Sequence, residues 1–198
     1  MANVEPLPRE ALAELESFFQ LAEGAMGFVP RSLYTMGRKP EMLRAFAGLT
    51  VAVLGPGKVE PGLKQLVAMV ASVSAGCRYC QAHTSASASR TGVTAEKVAA
   101  VYDFATSPLF SNRERAALKL ARDAGIVPNA TTPAHFAELR NHFSEDEIVE
   151  LVGVISLFGW LNRWNDTMAT ELEDEPFSFA SAHLGSRGWE ASKHRSIV

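Results

Sequence analysis

The residues with the clearest chemical potential are Cys77 and Cys80, the only two cysteines among 198 residues. They form a C-x-x-C arrangement, and His83 follows three residues later within the stretch GCRYCQAH. Such a pair can close a small disulfide ring, bind a metal ion, or hold one reactive thiolate beside its resolving partner. Buried cysteines that only fill space in a core have no need of this spacing, so the spacing favours chemistry over packing.

The residues around the pair place it at the start of a helix. Gly76 can end the preceding helix, and Cys77 then meets the positive end of the next one, where unpaired N–H groups stabilise a thiolate. Cys80 lies one turn further on and His83 another turn beyond it, so the three side chains form a stripe along one helix. From there His83 can take the Cys80 proton directly or through water, and the neighbouring thiol can resolve an oxidised Cys80.

A zinc site is the main alternative interpretation of these residues. Cys77, Cys80 and His83 offer three ligands, but a structural zinc site needs four, and the chain has no second C-x-x-C or H-x-x-x-H motif. A fourth ligand would have to come from a distant residue, the candidates being His135, His142 and Asp166. We therefore predict redox chemistry at the cysteines, with no metal and no other cofactor.

Composition and charge narrow the class of protein that carries this site. Apolar residues make up 47% of the chain and charged residues 21%, which is typical of a globular domain. The net charge of −3 gives no electrostatic basis for binding nucleic acid or an anionic membrane surface. The longest largely apolar run, 151–161, is broken by Ser156 and is far shorter than the ~20 residues that span a bilayer.

The first residues show no basic region followed by an apolar stretch, so no secretory signal is visible. We therefore expect a cytoplasmic protein, in a compartment that keeps thiols reduced. A purely structural disulfide is then less expected than a catalytic or metal-binding pair.

Helix signals dominate the chain and predict an all-α fold. Ser111 and Ser144 each precede a glutamate by three residues, the pattern of a capping box, and Pro61 suits a first helical position. Apolar residues recur at spacings of three and four within 145–172, and no alternating strand pattern is visible. The predicted helices cover 8–23, 30–37, 40–54, 61–75, 78–90, 95–104, 112–124, 133–142 and 145–172.

The length suits one domain, which we assign to residues 1–174. Beyond it the segment 175–198 contains a proline, two glycines and several serines. This composition predicts an extended tail, either a frayed terminus or a segment docked on a neighbouring subunit. The anchors for such docking would be Phe177, Phe179 and Trp189.

The stretch CRYCQAHT, with the predicted helix before it, resembles the signature of AhpD-like alkylhydroperoxidases in the carboxymuconolactone decarboxylase superfamily. Three outlying segments are also similar, so the resemblance covers about residues 27–168. These segments are GFVP at 27–30, FSNRERAAL at 110–118, and the late stretch from EIVEL at 147–151 to NRWND at 162–166. The resemblance implies an AhpD-like multi-helix bundle, homo-oligomers, and a dithiol that becomes a disulfide while it reduces organic hydroperoxides. The partners would be a small hydroperoxide substrate and a dithiol or protein electron donor.

By this resemblance Cys80 would attack the peroxide and Cys77 would resolve it. The family motif also has a glutamate twelve residues before the first cysteine and a histidine four residues after the second. This chain has Gln65 and Thr84 at these positions, with His83 one residue earlier. Gln65 cannot shuttle a proton, although it can hold a water or orient His83.

The departures from the motif leave the dithiol prediction intact but predict weak peroxidase activity. Tyr79, Asp166 and Glu60 are candidate substitutes in the proton relay. Two alternatives remain open: a dithiol–disulfide reductase acting on another substrate, and a catalytically silent oligomeric binding protein of the same fold. The polar cluster Asn162, Arg163, Asn165 and Asp166 either joins helices together or surrounds the thiols.

Overall fold

The structure is a computed structural model that describes residues 2–195. Over this range the chain folds into ten α-helices without a β-strand, which confirms the predicted all-α class. The α-helices are α1 (Glu16–Met26), α2 (Arg31–Met36), α3 (Pro40–Leu54), α4 (Pro61–Ala75), α5 (Arg78–Arg90), α6 (Ala95–Ala99), α7 (Asn112–Gly125), α8 (Pro133–Leu139), α9 (Glu145–Met168) and α10 (Asp174–Leu184). Short 3-10 helices occupy Arg9–Leu15, Ala100–Asp103, Gly185–Arg187 and Ser192–His194.

Local sequence explains where the helices begin. Ser111 and Ser144 each accept the backbone N–H of a glutamate three residues on, and that glutamate reaches back to complete a capping box. Thr94 caps α6 through the N–H of Lys97. Proline occupies the first turn of α3, α4 and α8, where its missing N–H removes no helical hydrogen bond.

Helix α4 lies at the centre of the molecule and packs against α5, α7 and α9. Its inner residues Leu66, Val67 and Met69 are almost completely buried. Gly76 follows α4 with a φ of 78°, in the left-handed region that favours glycine. This turn reverses the chain so that α5 packs back along α4, which sets the position of the two cysteines.

Several helix ends differ from the prediction for tertiary reasons. Helix α9 ends at Met168 rather than 172, because Ala169 adopts a left-handed conformation with a φ of 48°. The predicted helix 8–23 is a 3-10 helix followed by α1, and 95–104 is α6 followed by a second 3-10 helix. No helix in residues 2–195 combines the length and the apolar character needed to cross a membrane.

The segment after residue 174 corrects the prediction of an extended tail. It forms α10, which packs on α5, and Phe177, Phe179 and Trp189 pack against the core of the same chain. Pro176 does not prevent this helix, because it lies in the first turn, where proline is tolerated. Residues 196–198 of the predicted tail lie outside the described residues.

Candidate dithiol site

Cys77 occupies the N-cap position of α5, and its side chain is fully buried. Its Sγ accepts the backbone N–H of Cys80 at 3.5 Å. Serine, threonine, asparagine or aspartate usually takes this position, because the side chain must accept a hydrogen bond. A thiolate in this place therefore gains a hydrogen bond and the positive end of the helix dipole.

Cys80 lies one turn along α5 and is also a buried free thiol. Its Sγ accepts a hydrogen bond from Asn165 Nδ2 at 3.5 Å. Asn165 belongs to α9, so a second helix holds this cysteine. The two cysteines are thus held from different sides, one by its own helix and one by α9.

The two thiols differ in acidity. The pKa of Cys77 is lowered to about 6, chiefly because the Cys80 thiol hydrogen-bonds to it; burial opposes this shift and the neighbouring His194 adds to it. The pKa of Cys80 is raised well above its usual value, first by burial and then by the adjacent Cys77 sulfur. At neutral pH the negative charge of the pair therefore resides on Cys77.

His194, which the sequence analysis did not single out, lies beside Cys77. It is 1% exposed and belongs to the last 3-10 helix. Its Nδ1 donates to the Thr170 carbonyl at 2.9 Å, and its Nε2 is buried without a hydrogen-bond partner. Nε2 lies 3.7 Å from Oδ1 of Asp166, and Cys77 Sγ lies within 4.8 Å of both residues' ligand atoms.

His83 is held by a carboxylate rather than by a thiol. Its Nε2 donates to Glu173 Oε2 at 2.6 Å. Its ring stacks on Tyr79 with 4.2 Å between centroids, and Phe28 meets it edge-on at 5.6 Å. The predicted relay from His83 to Cys80 therefore competes with a short hydrogen bond to Glu173.

Glu173 is a second residue that the sequence analysis missed. Its carboxylate also accepts the hydroxyl of Tyr79 at 3.0 Å and the backbone N–H of Arg31 at 2.6 Å. Burial raises the pKa of Glu173, but His83 and the Arg31 amide outweigh burial, so the net shift is downward. Burial and the Glu173 charge raise the pKa of Tyr79 well above its usual value, so the phenol keeps its proton.

The structure places the other predicted site residues at different distances from the thiols. Asp166 lies beside Cys77, whereas Gln65 on α4 is half-buried and takes part in no side-chain hydrogen bond within residues 2–195. His135 bonds to Asp123 and Thr132, and His142 pairs with Glu138, so both belong to the α7–α8 region.

Part of the polar cluster on α9 faces the thiols. Asn165 contacts Cys80, while exposed Arg163 bonds to the carbonyl of Gly159 on its own helix. Both polar side-chain atoms of Asn162, and Oδ1 of Asn165, are buried without a partner. Buried polar groups of this kind usually bind water or a ligand, so this face of α9 can receive a small polar molecule.

Comparisons with known proteins identify relatives of this chain that share its helical fold. A model of the carboxymuconolactone decarboxylase family matches residues 40–123. The crystal structure of the debrominase Bmp8 is 37% identical, covers 89% of this chain and 95% of that chain, and superposes with a TM-score of 0.84. A Cys-to-Ala variant of Bmp8 in complex with 2,3,4-tribromopyrrole gives a TM-score of 0.86 at 36% identity, covering 91% and 96% of the two chains.

Two more relatives extend the comparison. The uncharacterized protein YnjA of Escherichia coli is 34% identical over 111 residues, which are 56% of this chain and 60% of YnjA. An AhpD-core peroxidase-related protein from Ralstonia eutropha has a TM-score of 0.79 at 22% identity, over 89% of this chain and 94% of that one, which shows a shared fold. With a relative 37% identical over nearly its whole length and the family model over α3 to α7, the chain belongs to the carboxymuconolactone decarboxylase superfamily and has its AhpD-like helical fold.

Proposed function

We propose that this protein is a thiol-dependent oxidoreductase that reduces organic hydroperoxides, with Cys77 as the nucleophile and Cys80 as the resolving thiol. The position of Cys77 at the N-cap of α5, with Cys80 one turn away, carries the proposal. The lowered pKa of Cys77 supports it, because the thiolate is the reactive form. These roles are the reverse of those that the family resemblance implies, since Cys80 is the thiol that keeps its proton.

The reaction balances without a cofactor. The Cys77 thiolate attacks the terminal oxygen of the hydroperoxide, so an S–O bond forms and the O–O bond breaks. The proton that Cys77 released returns to the leaving alkoxide through Nε2 of His194, and the alkoxide departs as an alcohol. The Cys80 thiol then attacks the sulfenic acid on Cys77, and a disulfide and water form. A dithiol or protein donor returns two electrons and two protons to the pair.

In this proposal the residues around His83 position the site rather than move protons at the sulfur. Glu173 links α5 to the segment before α10 through Tyr79 and His83. The same segment continues through α10 to His194, whose backbone carbonyl accepts the N–H of Leu172 at 2.7 Å. The network therefore holds His194 against the thiols.

Reductive dehalogenation of a small haloaromatic compound is a second candidate, favoured by the similarity to the debrominase. The balance is two thiols and one carbon–bromine bond giving a disulfide, a carbon–hydrogen bond, bromide and a proton. The same Cys77 and Cys80 roles apply, because a thiolate must begin the reaction and a second thiol must complete the disulfide.

Thiol oxidation by the two substrate classes tests the proposal. Reduced protein, freed of reductant, is mixed with cumene hydroperoxide or with 2,3,4-tribromopyrrole, and disulfide formation is followed. Turnover is then measured with dithiothreitol added as the electron donor. We expect turnover of the hydroperoxide, loss of reaction in Cys77→Ser, and a sulfenic acid trapped on Cys77 in Cys80→Ser.

Each other outcome has a defined meaning. A sulfenic acid on Cys80 in the Cys77→Ser variant would restore the roles implied by the family. Turnover of the tribromopyrrole alone would select dehalogenation. A pair that neither compound oxidises would favour a reductase for another substrate, or a binding protein.

A further inference from the structure

Cys77 and two side chains next to it offer three ligand atoms around one point. These atoms are Cys77 Sγ, a carboxylate oxygen of Asp166 and a ring nitrogen of His194, all within 4.8 Å of one another. The Asp166–His194 separation of 3.7 Å is too long for a hydrogen bond. Atoms bound to one tetrahedral zinc ion lie roughly 3.3–3.6 Å apart, given Zn–N and Zn–O bonds of about 2.0 Å and Zn–S bonds of about 2.3 Å. Small side-chain movements would therefore bring all three into coordination distance.

The state of His194 is an independent observation that points to a ligand. The side chain is 1% exposed, and its Nε2 is buried without a hydrogen-bond partner. Its other nitrogen, Nδ1, donates to the backbone carbonyl of Thr170 at 2.9 Å. A histidine that binds a metal typically donates its second nitrogen to a carbonyl or a carboxylate in this way, which fixes the lone pair of the first nitrogen. Nε2 is thus held ready to accept a ligand on the side of Asp166 and Cys77.

The ligand types and the exposure of the cluster fit a zinc ion. Thiolate, imidazole and carboxylate are the ligands that zinc takes in proteins, and three of them leave a fourth position for water. The Asp166 side chain is 46% exposed, so an ion can enter from solvent on that side. Lys193 Nζ pairs with Asp166 Oδ2 at 2.9 Å, which leaves Oδ1 as the oxygen nearest His194.

From these observations we propose that the reduced protein binds one Zn²⁺ ion through Cys77, Asp166 and His194. This ligand set differs from the C-x-x-C and His83 set considered from sequence, because His83 is paired with Glu173. The proposed zinc site is inferred from the geometry of the cluster and does not depend on the proposed function. The zinc site and the thiol reaction use the same sulfur. A bound ion would therefore block the reaction of Cys77, and a Cys77–Cys80 disulfide would exclude the ion.

Cobalt provides a test with a readout other than activity. The full chain is reduced, freed of metal with a chelator and titrated with Co²⁺, and the thiolate-to-cobalt charge-transfer band and the visible bands of tetrahedral cobalt are recorded. Zn²⁺ is then added in competition. We expect one equivalent of Co²⁺ to bind with both sets of bands and to be displaced by Zn²⁺. Oxidation of the protein to its Cys77–Cys80 disulfide should abolish both sets of absorption bands.

Substitutions assign the ligands. Because even partners in the outer shell of a metal site contribute about 10–100-fold in affinity, Cys77→Ser and His194→Ala should weaken binding by at least about 100-fold. The matched control is His183→Ala, since His183 lies on α10 and packs against Phe179. It should retain binding within a few-fold, with circular dichroism confirming that all variants are folded. Absence of a thiolate charge-transfer band in the reduced wild-type protein would overturn the proposal. Binding that survives His194→Ala, or that requires Cys80 and His83 instead, would also overturn it.

Discussion

Cys77 is fully buried, yet its Sγ accepts the N–H of Cys80 at the start of α5, and a ring nitrogen of His194 from the last 3-10 helix lies within 4.8 Å of it. A sulfur in an apolar pocket would stay a neutral thiol, because burial disfavours the charged form. The acidity of this thiol therefore depends on contributions from two distant parts of the chain, which substitution can separate.

The ionisation of Cys77 gives a first prediction. Its pKa of about 6 means that the thiolate is formed above pH 6 and lost as the pH falls through that value. We expect the ultraviolet absorbance of the thiolate in the reduced protein to titrate near pH 6. His194→Ala should move the midpoint upward, since His194 lowers the pKa, and the control His183→Ala should leave it unchanged. A midpoint near the ~8.5 of a free cysteine would contradict the prediction.

Glu173 gives a second prediction at this scale. Glu173→Gln removes the charge that accepts hydrogen bonds from Tyr79, His83 and the Arg31 amide, so we expect a loss of about 1.5–3 kcal/mol of stability in urea unfolding at pH 7. The pKa of Glu173 is lowered in the folded state. Its contribution to the free energy of unfolding is therefore fully present above the unfolded pKa of about 4.3, and it is lost as the pH falls from there through the lower folded pKa. The difference in the free energy of unfolding between the wild-type protein and Glu173→Gln should therefore become smaller as the pH is lowered.

Glu171→Gln is the matched control, because Glu171 is exposed and its pair with Arg31 lies at the surface. We expect it to change stability by less than about 1 kcal/mol. An equal loss in both variants would mean that the hydrogen bonds to Glu173 contribute no more than a surface charge.

The sequence predicted some of these residues and missed others for a physical reason. The spacing of Cys77, Cys80 and His83 is local, so helix geometry alone places them on α5. Glu173 and His194 reach α5 only through the packing of α10 and the segment after it, and no local pattern encodes such a contact.

At the scale of the elements, Gly76 controls how α5 leaves α4. A side chain added there meets no atom within 4 Å, so the cost of a substitution comes only from the φ of 78°. We expect Gly76→Ala to lower the free energy of unfolding by about 1–2 kcal/mol. Gly24→Ala in α1 is the control, because it also meets no atom within 4 Å but has an ordinary helical φ, and it should raise stability by about 0.5–1 kcal/mol. Denaturant unfolding of the two variants checks the predicted decrease and the predicted increase in the free energy of unfolding. A decrease of the same size in both variants would contradict this account.

Helix prediction succeeded where start and stop signals are local. Helices α3, α4 and α5 have the predicted bounds, because prolines and glycines mark their ends. It failed at α10, where Pro176 and the following glycines looked like signs of an irregular tail. That helix is stabilised by packing against α5, and the segment after it is held to the start of α5 by the hydrogen bond from Trp189 Nε1 to the Arg78 carbonyl, at 3.2 Å. Helix stability of this kind comes from tertiary contacts rather than from intrinsic propensity.

At the scale of the whole molecule, apolar side chains remain exposed along α3 and α9. Val149 is 70% exposed, and Val152, Trp160 and Leu49 lie on the same two helices. We expect these helices to form a contact between copies, so that light scattering after size-exclusion chromatography gives a multiple of 21.4 kDa. Val149→Glu should lower that mass by placing a charge in the contact.

Val127→Glu is the matched control for this prediction. Val127 is 79% exposed but lies between α7 and α8, away from α3 and α9, so the mass should not change. A mass of 21.4 kDa for the wild-type protein at micromolar concentration would refute the prediction of an oligomer.

The candidate site is built from two separate parts of the chain, and this has a consequence for protein engineering. The family-matched helices, residues 40–123, carry the sulfur atoms, whereas Glu173 and His194 come from the last part of the chain. A chimera that exchanges only residues 170–195 with a relative would keep the two sulfurs and their helix while replacing His194, which helps to lower the pKa of Cys77, and Glu173, which holds His83. We therefore expect that exchange of the C-terminal segment alone can change the reactivity of the thiols in related proteins, without redesign of the helical core.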